Sequence, residues 1–291
     1  MKFSIVLPTF NAGKYIERCL LSCVHQTYKD IEIIVVDDCG LDDSIERAKQ
    51  FALIDTRIRI VRNVQNMGTY HARRVGAESA VGEYVIFLDP DDELKKDALE
   101  SISRKLDREI DIVVYNIESF PSKKFYQTSF ALPQLEGRNI DGNNIKKIFF
   151  TKGFGLGTAG KVFCRSVLLR AYCNLNVPNN WRLVFAEDLL LFAEMLSLSS
   201  SISIADKRLY VYHKNLESVT QANTEEALRF NMAQAELCLN LLSRAASASC
   251  GERQVIYCLM SERIMVDREK IKIRLCKSFF FQFASIFFYY K

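Results

Sequence analysis

The sequence predicts an α/β protein built on a mostly parallel, doubly wound sheet with flanking helices and a helical C-terminal extension. Three observations carry this expectation. Short apolar runs alternate with amphipathic helical patterns as far as Tyr115. Several of those runs are almost continuously apolar, as strands covered on both faces must be. From Thr224 onward the pattern is helical.

The elements follow in order. Residues 3–7 read as the first strand, an apolar run too short for a signal peptide. Ile16, Cys19, Leu20, Cys23 and Val24 recur at helical spacing and mark the first helix. Residues 31–36 read as a strand buried on both faces. Asp42, Asp43 and Ser44 are N-cap candidates for a helix through Ala52. Strands are expected over 58–61, 84–88 and 111–115, and helices over 69–80 and 95–106. Parallel strands joined by helices cross over with a right hand. Residues 120–142 are polar and irregular. Gly153-Phe154-Gly155-Leu156-Gly157 reads as a flexible stretch that shapes a cleft. A helix over 184–198, an extended segment over 202–212 and an amphipathic helix over 224–242 complete the pattern. No internal repeat is visible. The natural division is 1–118, 119–220 and 221–291.

Composition narrows the function classes. With 291 residues, 49% hydrophobic and 25% charged, the chain can bury a sizeable core. A net charge of +4, with no basic stripe among aromatics in the first two thirds, argues against nucleic acid as a partner. No stretch of about 18 apolar residues is present to span a bilayer. The nine cysteines are scattered, without Cys-x-x-Cys or zinc spacing, and read as structural thiols in a reducing compartment. A Gly-x-Gly-x-x-Gly is missing after Leu7, which disfavours a dinucleotide oxidoreductase. Residues 270–277 are basic and 279–290 are dense in aromatics. That tail reads as a helix lying on an anionic membrane surface, with packing on the body of the protein or an oligomer contact as the alternative.

The stretch richest in chemistry is 84–93. An apolar strand runs into Asp89-Pro90-Asp91-Asp92. Carboxylates clustered at a buried strand end need water, a donor or a cation. Mg²⁺ characteristically takes one or two protein carboxylates plus substrate phosphates. Open α/β sheets bind ligands at the carboxyl ends of their strands. Pro90 restricts Asp89 to extended backbone. The segment therefore reads as a shelf for a metal and a diphosphate.

Further segments then join the constellation. Ser4-Ile5-Val6-Leu7-Pro8-Thr9-Phe10-Asn11, His25-Gln26-Thr27-Tyr28, Val35-Val36-Asp37-Asp38-Cys39-Gly40, Asn66-Met67-Gly68 with Ala72-Arg73, and Gly82-Glu83-Tyr84 occur in that order. Together they resemble inverting glycosyltransferases of family 2, which have the nucleotide-sugar GT-A fold. Gly160-Lys161-Val162-Phe163, Ala186-Glu187-Asp188-Leu189-Leu190 and Tyr210-Val211-Tyr212-His213-Lys214 with Ser218-Val219 resemble later family segments more loosely. Two departures stand out. Arg74 replaces a family asparagine, and His213 stands where arginine is frequent. The spellings look most like bacterial lipooligosaccharide β-1,3-galactosyltransferases.

The resemblance implies roles. Pro8, Thr9 and Asn11 would line the base pocket, and Asp38 would accept from the uracil N–H. Asp89 would contact ribose, and Arg73 would sit near the diphosphate. Asp91, with Asp89, Asp92 and His213 as further candidates, would hold Mn²⁺ or Mg²⁺; Asp92 has helix capping as its alternative role. Asp188 would be the general base, with Glu187 orienting the loop or the acceptor. The donor would be a UDP-sugar, most simply UDP-galactose, with UDP-GlcNAc, UDP-GalNAc or UDP-glucose as alternatives. The acceptor would be an oligosaccharide or lipid-linked glycan. The implied location is cytoplasmic, peripheral on the inner face of the bacterial cytoplasmic membrane. A catalytically silent nucleotide-binding scaffold is the competing class, disfavoured by the joint presence of Asp38, Asp91 and Asp188. For Glu187 and Asp188 the bland alternative is a pair of acids favoured by a helix N-terminus.

Overall fold

The computed structural model describes residues 1–106, 110–121, 140–141, 155–215 and 224–289, with side chains of 140–141, 206 and 276–289 left aside. β1 (Phe3–Thr9), α1 (Ile16–Val24), β2 (Ile31–Asp37), α2 (Ser44–Ile54), β3 (Ile58–Arg62), α3 (Thr69–Ser79) and β4 (Tyr84–Phe87) alternate as the apolar pattern predicts. β1, β2 and β4 are buried along their whole length. They pair in parallel in the order β3-β2-β1-β4.

Strand periodicity sorts the core into two layers. Ile5, Leu7, Ile33 and Val35 pack with the Ile16, Cys19, Leu20 and Cys23 stripe of α1. Val6, Ile34 and Val36 face the other way, onto Tyr70, Ala72 and Ala77 of α3. Gly76 lets α3 approach β1 closely, because a Cβ there would collide with Val6.

Beyond β4 the pattern departs from expectation. The helix predicted over 95–106 is shortened to α4 (Ala98–Ser103) and preceded by β5 (Glu93–Leu94). The reason is tertiary. β9 (Ser201–His213) takes the backbone of Glu93 and Leu94 into an antiparallel pair, and Lys95 N donates to Leu209 O at 2.8 Å. β6 (Ile112–Phe120), β7 (Ile140–Asp141) and β8 (Lys161–Cys164) precede α5 (Arg165–Leu175) and α6 (Glu187–Leu198). The full order is β3-β2-β1-β4-β8-β6-β9-β5, with β7 on β9. β8 lies antiparallel between β4 and β6, whereas β6 and β9 run parallel.

α7 (Glu225–Ser247) begins at Thr224, whose Oγ1 accepts from Ala227 N. α8 (Gly251–Tyr289) packs on α6 and α7. At its contact with α6, buried Glu194 accepts from Asn174 Nδ2 at 2.7 Å and from Tyr257 Oη. Among the described residues no helix is long and apolar enough to cross a membrane. The aromatic side chains of 279–290, and Ser218-Val219, lie outside the described residues.

Candidate functional site

The carboxyl ends of β1, β2 and β4 open onto one cleft, where such sheets place ligands. Pro8 and Thr9 lie within β1, opposite Val36 and Asp37. Thr9 is buried, and its hydroxyl donates to Leu7 O at 3.0 Å. Asn11 (φ 49) and Cys39 (φ 59) both hold left-handed backbone, uncommon for residues with a side chain. Such strain persists only where surroundings enforce it. Here Asn11 Oδ1 accepts from Leu41 N at 2.7 Å, and a Cβ on Gly40 would lie 2.8 Å from Asn11 N. The two loops therefore lock each other along the cleft.

Asp38 is buried and already has three donors. Asn63 Nδ2 (2.7 Å) and Met67 N (2.8 Å) reach Oδ1, and Gly68 N (2.9 Å) reaches Oδ2. Its visible job is to hold the 63–68 loop, while Oδ2 keeps room for one further donor. Gly68 has φ 85, and a Cβ there would meet Leu183 O at 2.6 Å. Glycine is required by both the backbone and the close approach. His71 Nε2 lies 3.0 Å from Trp181 O, and Arg182 Nε donates to Asn66 Oδ1 at 2.8 Å. These contacts pin the 181–186 segment over the cleft.

That segment turns into α6 through Ala186 in the left-handed region (φ 62), so the helix starts at Glu187 rather than at 184. The turn aims Glu187 back at the sheet. Glu187 is buried, and its Oε1 accepts from Arg73 Nη1 at 2.9 Å. Arg73 Nη2 donates to Asp89 Oδ1 at 2.8 Å. One buried guanidinium thus joins the acidic loop after β4 to the acids at the start of α6. Burial works against the charge of Arg73, but Asp89, Glu187 and Asp188 together hold it protonated. Burial, then Asp188, pushes Glu187 up to about 7 against the pull of Arg73. Asp188 is half-buried and accepts from Leu189 N at 2.8 Å through Oδ1.

The Glu187 shift has a testable sign. A carboxyl whose folded-state pKa of about 7 lies above its ordinary 4.5 favours folding most below pH 4.5. That contribution is lost as pH rises to about 7. Glu187→Gln is therefore expected to flatten the fall in Tm across this window, measured by thermal melts at fixed ionic strength. An unchanged slope would remove Glu187 as its source.

Each carboxylate of the acidic loop has its own protein partners. Asp92 is buried; its Oδ2 accepts from Tyr210 Oη at 2.6 Å and its Oδ1 from His213 N at 2.8 Å. Asp92 thus ties the loop to β9. The imidazole of His213 lies 2.6 Å from Glu93 Oε1. Asp91 accepts from Asn215 Nδ2 at 2.9 Å, and burial, then Asp89, raises its pKa. A half-buried carboxylate with neutral amide support beside a second acid suits a hard cation. Among the described residues no group of three or more His, Cys, Asp or Glu side chains is arranged to hold a metal. Protein groups at Asp91 and Asp89 thus fit a cation only with ligands from elsewhere.

Three residues near the site escaped assignment from sequence. Tyr210 and Asn215 hold Asp92 and Asp91 from β9 and the residues just after it, more than a hundred residues away in the chain. Lys161, visible as part of Gly-Lys-Val-Phe, is buried beside Gly155 and Gly157. The signal for Lys161 was an isolated lysine opening an otherwise apolar strand.

The comparisons with known proteins agree with this geometry. S. aureus TarS residues 1–349, solved in complex with UDP-GlcNAc, superposes with a TM-score of 0.70 at 23% identity, covering 90% of this chain and 71% of that one. A mannosyltransferase from Pyrobaculum calidifontis, in complex with GDP-Man and Mn²⁺, superposes with a TM-score of 0.60 at 16% identity, covering 95% and 74%. The architecture is the GT-A fold of glycosyltransferases. The model of glycosyl transferase family 2 matches residues 4–168, and the chain belongs to that family. Glycosyltransferase GlyA of Streptococcus pneumoniae is 29% identical over 232 residues, 77% of this chain and 32% of its own length. The putative glycosyltransferase EpsH of Bacillus subtilis is 28% identical over 230 residues, 79% and 66%. The cholesterol galactosyltransferase of Borreliella burgdorferi is 27% identical over 230 residues, 76% and 62%. The chain thus spans between about a third and two thirds of the length of these relatives.

Proposed function

We propose that this chain is an inverting, metal-dependent transferase. It moves a hexose from a UDP-sugar to a sugar acceptor of a lipooligosaccharide or related surface glycan and forms a β-linkage, β-1,3 by resemblance. The carrying observation is the buried Arg73 bridge, which sets the acidic loop and the Glu187-Asp188 pair on one cleft. Residues 1–118 supply the donor half, 119–220 the acceptor half, and 221–291 the helical extension.

Pro8, Thr9 and Asn11 border the base, and Asp38 Oδ2 accepts the uracil N–H. Asp89 faces the ribose while Arg73 fixes its direction. Asp91, with Asp89, would hold Mn²⁺ or Mg²⁺, and the diphosphate would complete the ligand set. A bound cation supplies charge neutralisation for the departing UDP. Asp188 takes the proton of the acceptor hydroxyl as that oxygen bonds to C1, and the C1–O bond to UDP breaks on the opposite face. Galactose is the favoured donor sugar, supported by the galactosyltransferase relative. UDP-GlcNAc is the second reading, supported by the donor bound to TarS.

The deciding experiment is a screen of UDP-, GDP- and CMP-sugars with Mn²⁺, following nucleotide release with and without sugar acceptors. Metal-dependent UDP release from one donor, stimulated by an acceptor, is expected. GDP or CMP release instead, or UDP binding with no turnover on any acceptor, would overturn the proposal.

The basic tail is proposed to hold the enzyme on an anionic membrane surface, at the inner face of the cytoplasmic membrane. Ile271 and Leu275 pack with Leu228, so truncation should begin after them. Deleting 276–291, which removes the aromatic part of the tail and leaves Lys270, Lys272 and Arg274, is expected to weaken co-sedimentation with anionic liposomes and to preserve soluble turnover. Equal sedimentation of the two forms would sink the membrane role.

A further inference from the structure

We infer that Lys161 is a positioning residue that presses the Gly155–Ala159 segment against the carboxylate of Asp188. The inference rests on the reading of Asp188 as the base. Lys161 opens β8, and its side chain is 2% exposed. Among the described residues no carboxylate forms an ion pair with it. A buried, unpaired ammonium is costly and must be held by dipoles. Its Nζ donates to Gly155 O at 2.6 Å, to Gly157 O, and to Ala159 O at 3.4 Å. It also sits 4.5 Å from the ring centroid of Phe192 in α6, the helix that carries Asp188. Burial pushes the amine down to about 7 while Asp188 favours its charge.

The held segment is itself in contact with Asp188. A Cβ on Gly157 would collide with Asp188 Oδ2. Gly157 therefore lets the backbone seat directly on the carboxylate, and Lys161 keeps it there from behind. Leu189 N engages the other oxygen, Oδ1. The carboxylate is thereby held from two sides. This gives Gly155 and Gly157 a purpose unrelated to phosphate; Gly153 and Phe154 lie outside the described residues. The Gly155–Ala159 segment is a small-residue wall whose shape fixes where the base points.

The test uses the full chain and four variants, with UDP affinity, transfer kcat, acceptor KM and melting temperature measured for each. Lys161→Met removes the carbonyl clamp, and Gly157→Ala disturbs the wall without touching the buried lysine. Displacing a catalytic group by about 1 Å can cost on the order of 10²-fold. Both variants are expected to lose kcat about 10–10²-fold, with a raised acceptor KM and unchanged UDP affinity. Gly157→Ala should also melt like the parent, which separates positioning from general stability. Because both act on one contact, the double variant should lose no more than the worse single. A Gly157→Ala enzyme with parental kcat, or additive losses in the double variant, would overturn the inference, even where Lys161→Met fails to fold. Asp188→Asn tells the two levels apart. If Asp188→Asn is inactive while Gly157→Ala and Lys161→Met are fully active, only the positioning role falls. If Asp188→Asn turns over normally, the base assignment falls and takes this inference with it.

Discussion

Replacing Asp188 by asparagine is expected to lower turnover by roughly 10²–10⁴-fold, the usual worth of a positioned general base. The swap is close to isosteric. An asparagine carbonyl still accepts from Leu189 N, so the start of α6 keeps its local bond. What is lost is the capacity to take a proton. UDP affinity should be unchanged, because Asp38 is held by Asn63, Met67 and Gly68 and none of those bonds involves Asp188. Steady-state transfer rates beside calorimetric UDP titration make the comparison. A variant that retains both rate and affinity moves the base elsewhere.

Replacing Arg73 by methionine is expected to have the largest effect on stability. Breaking a buried ion pair by removing one partner typically costs about 3–5 kcal/mol, because the remaining charge is stranded. Arg73 serves two carboxylates, but they differ in solvent access. The side chain of Glu187 is 8% exposed and that of Asp89 is 36% exposed. Asp89 regains water when its partner goes, so the lower end, about 3 kcal/mol, is the expected loss. Glu187 is already pushed up by burial, and without Arg73 it rises further and takes a proton near neutral pH. Donor affinity should fall as well, since Asp89 loses the contact that fixes its direction. Adding Glu187→Gln to Arg73→Met should recover part of the stability, because it removes the stranded acid. Urea melts of the four-member cycle measure this. Strictly additive losses would show that the bridge is not energetically coupled.

Much of the donor wall was legible in the chain. β1, β2 and β4 are short apolar runs whose burial on both faces leaves a one-dimensional signature. The loops after them are polar because they sit at strand ends. Helix α1 declared itself through 3.6-residue spacing. The helix expected over 95–106 forms only over Ala98–Ser103, for an equally physical reason. Glu93 and Leu94 pair with a strand more than a hundred residues downstream, and no local propensity reports such a partner. The acids at 89, 91 and 92 looked equivalent in sequence. Tyr210 and His213 engage Asp92, Asn215 supports Asp91, and Arg73 takes Asp89.

By itself, then, the sequence determined the α/β class, the strand ends that carry the chemistry and the residue types available there. These are local matters, written in periodicity and in the cost of burying charge. Only the tertiary structure decided which acid meets which donor. The left-handed turn at Ala186, the Arg73 bridge and the Lys161 clamp join segments far apart in the chain. Pairings of that kind depend on sheet order and loop closure, because distance along the chain says nothing of distance across a folded sheet.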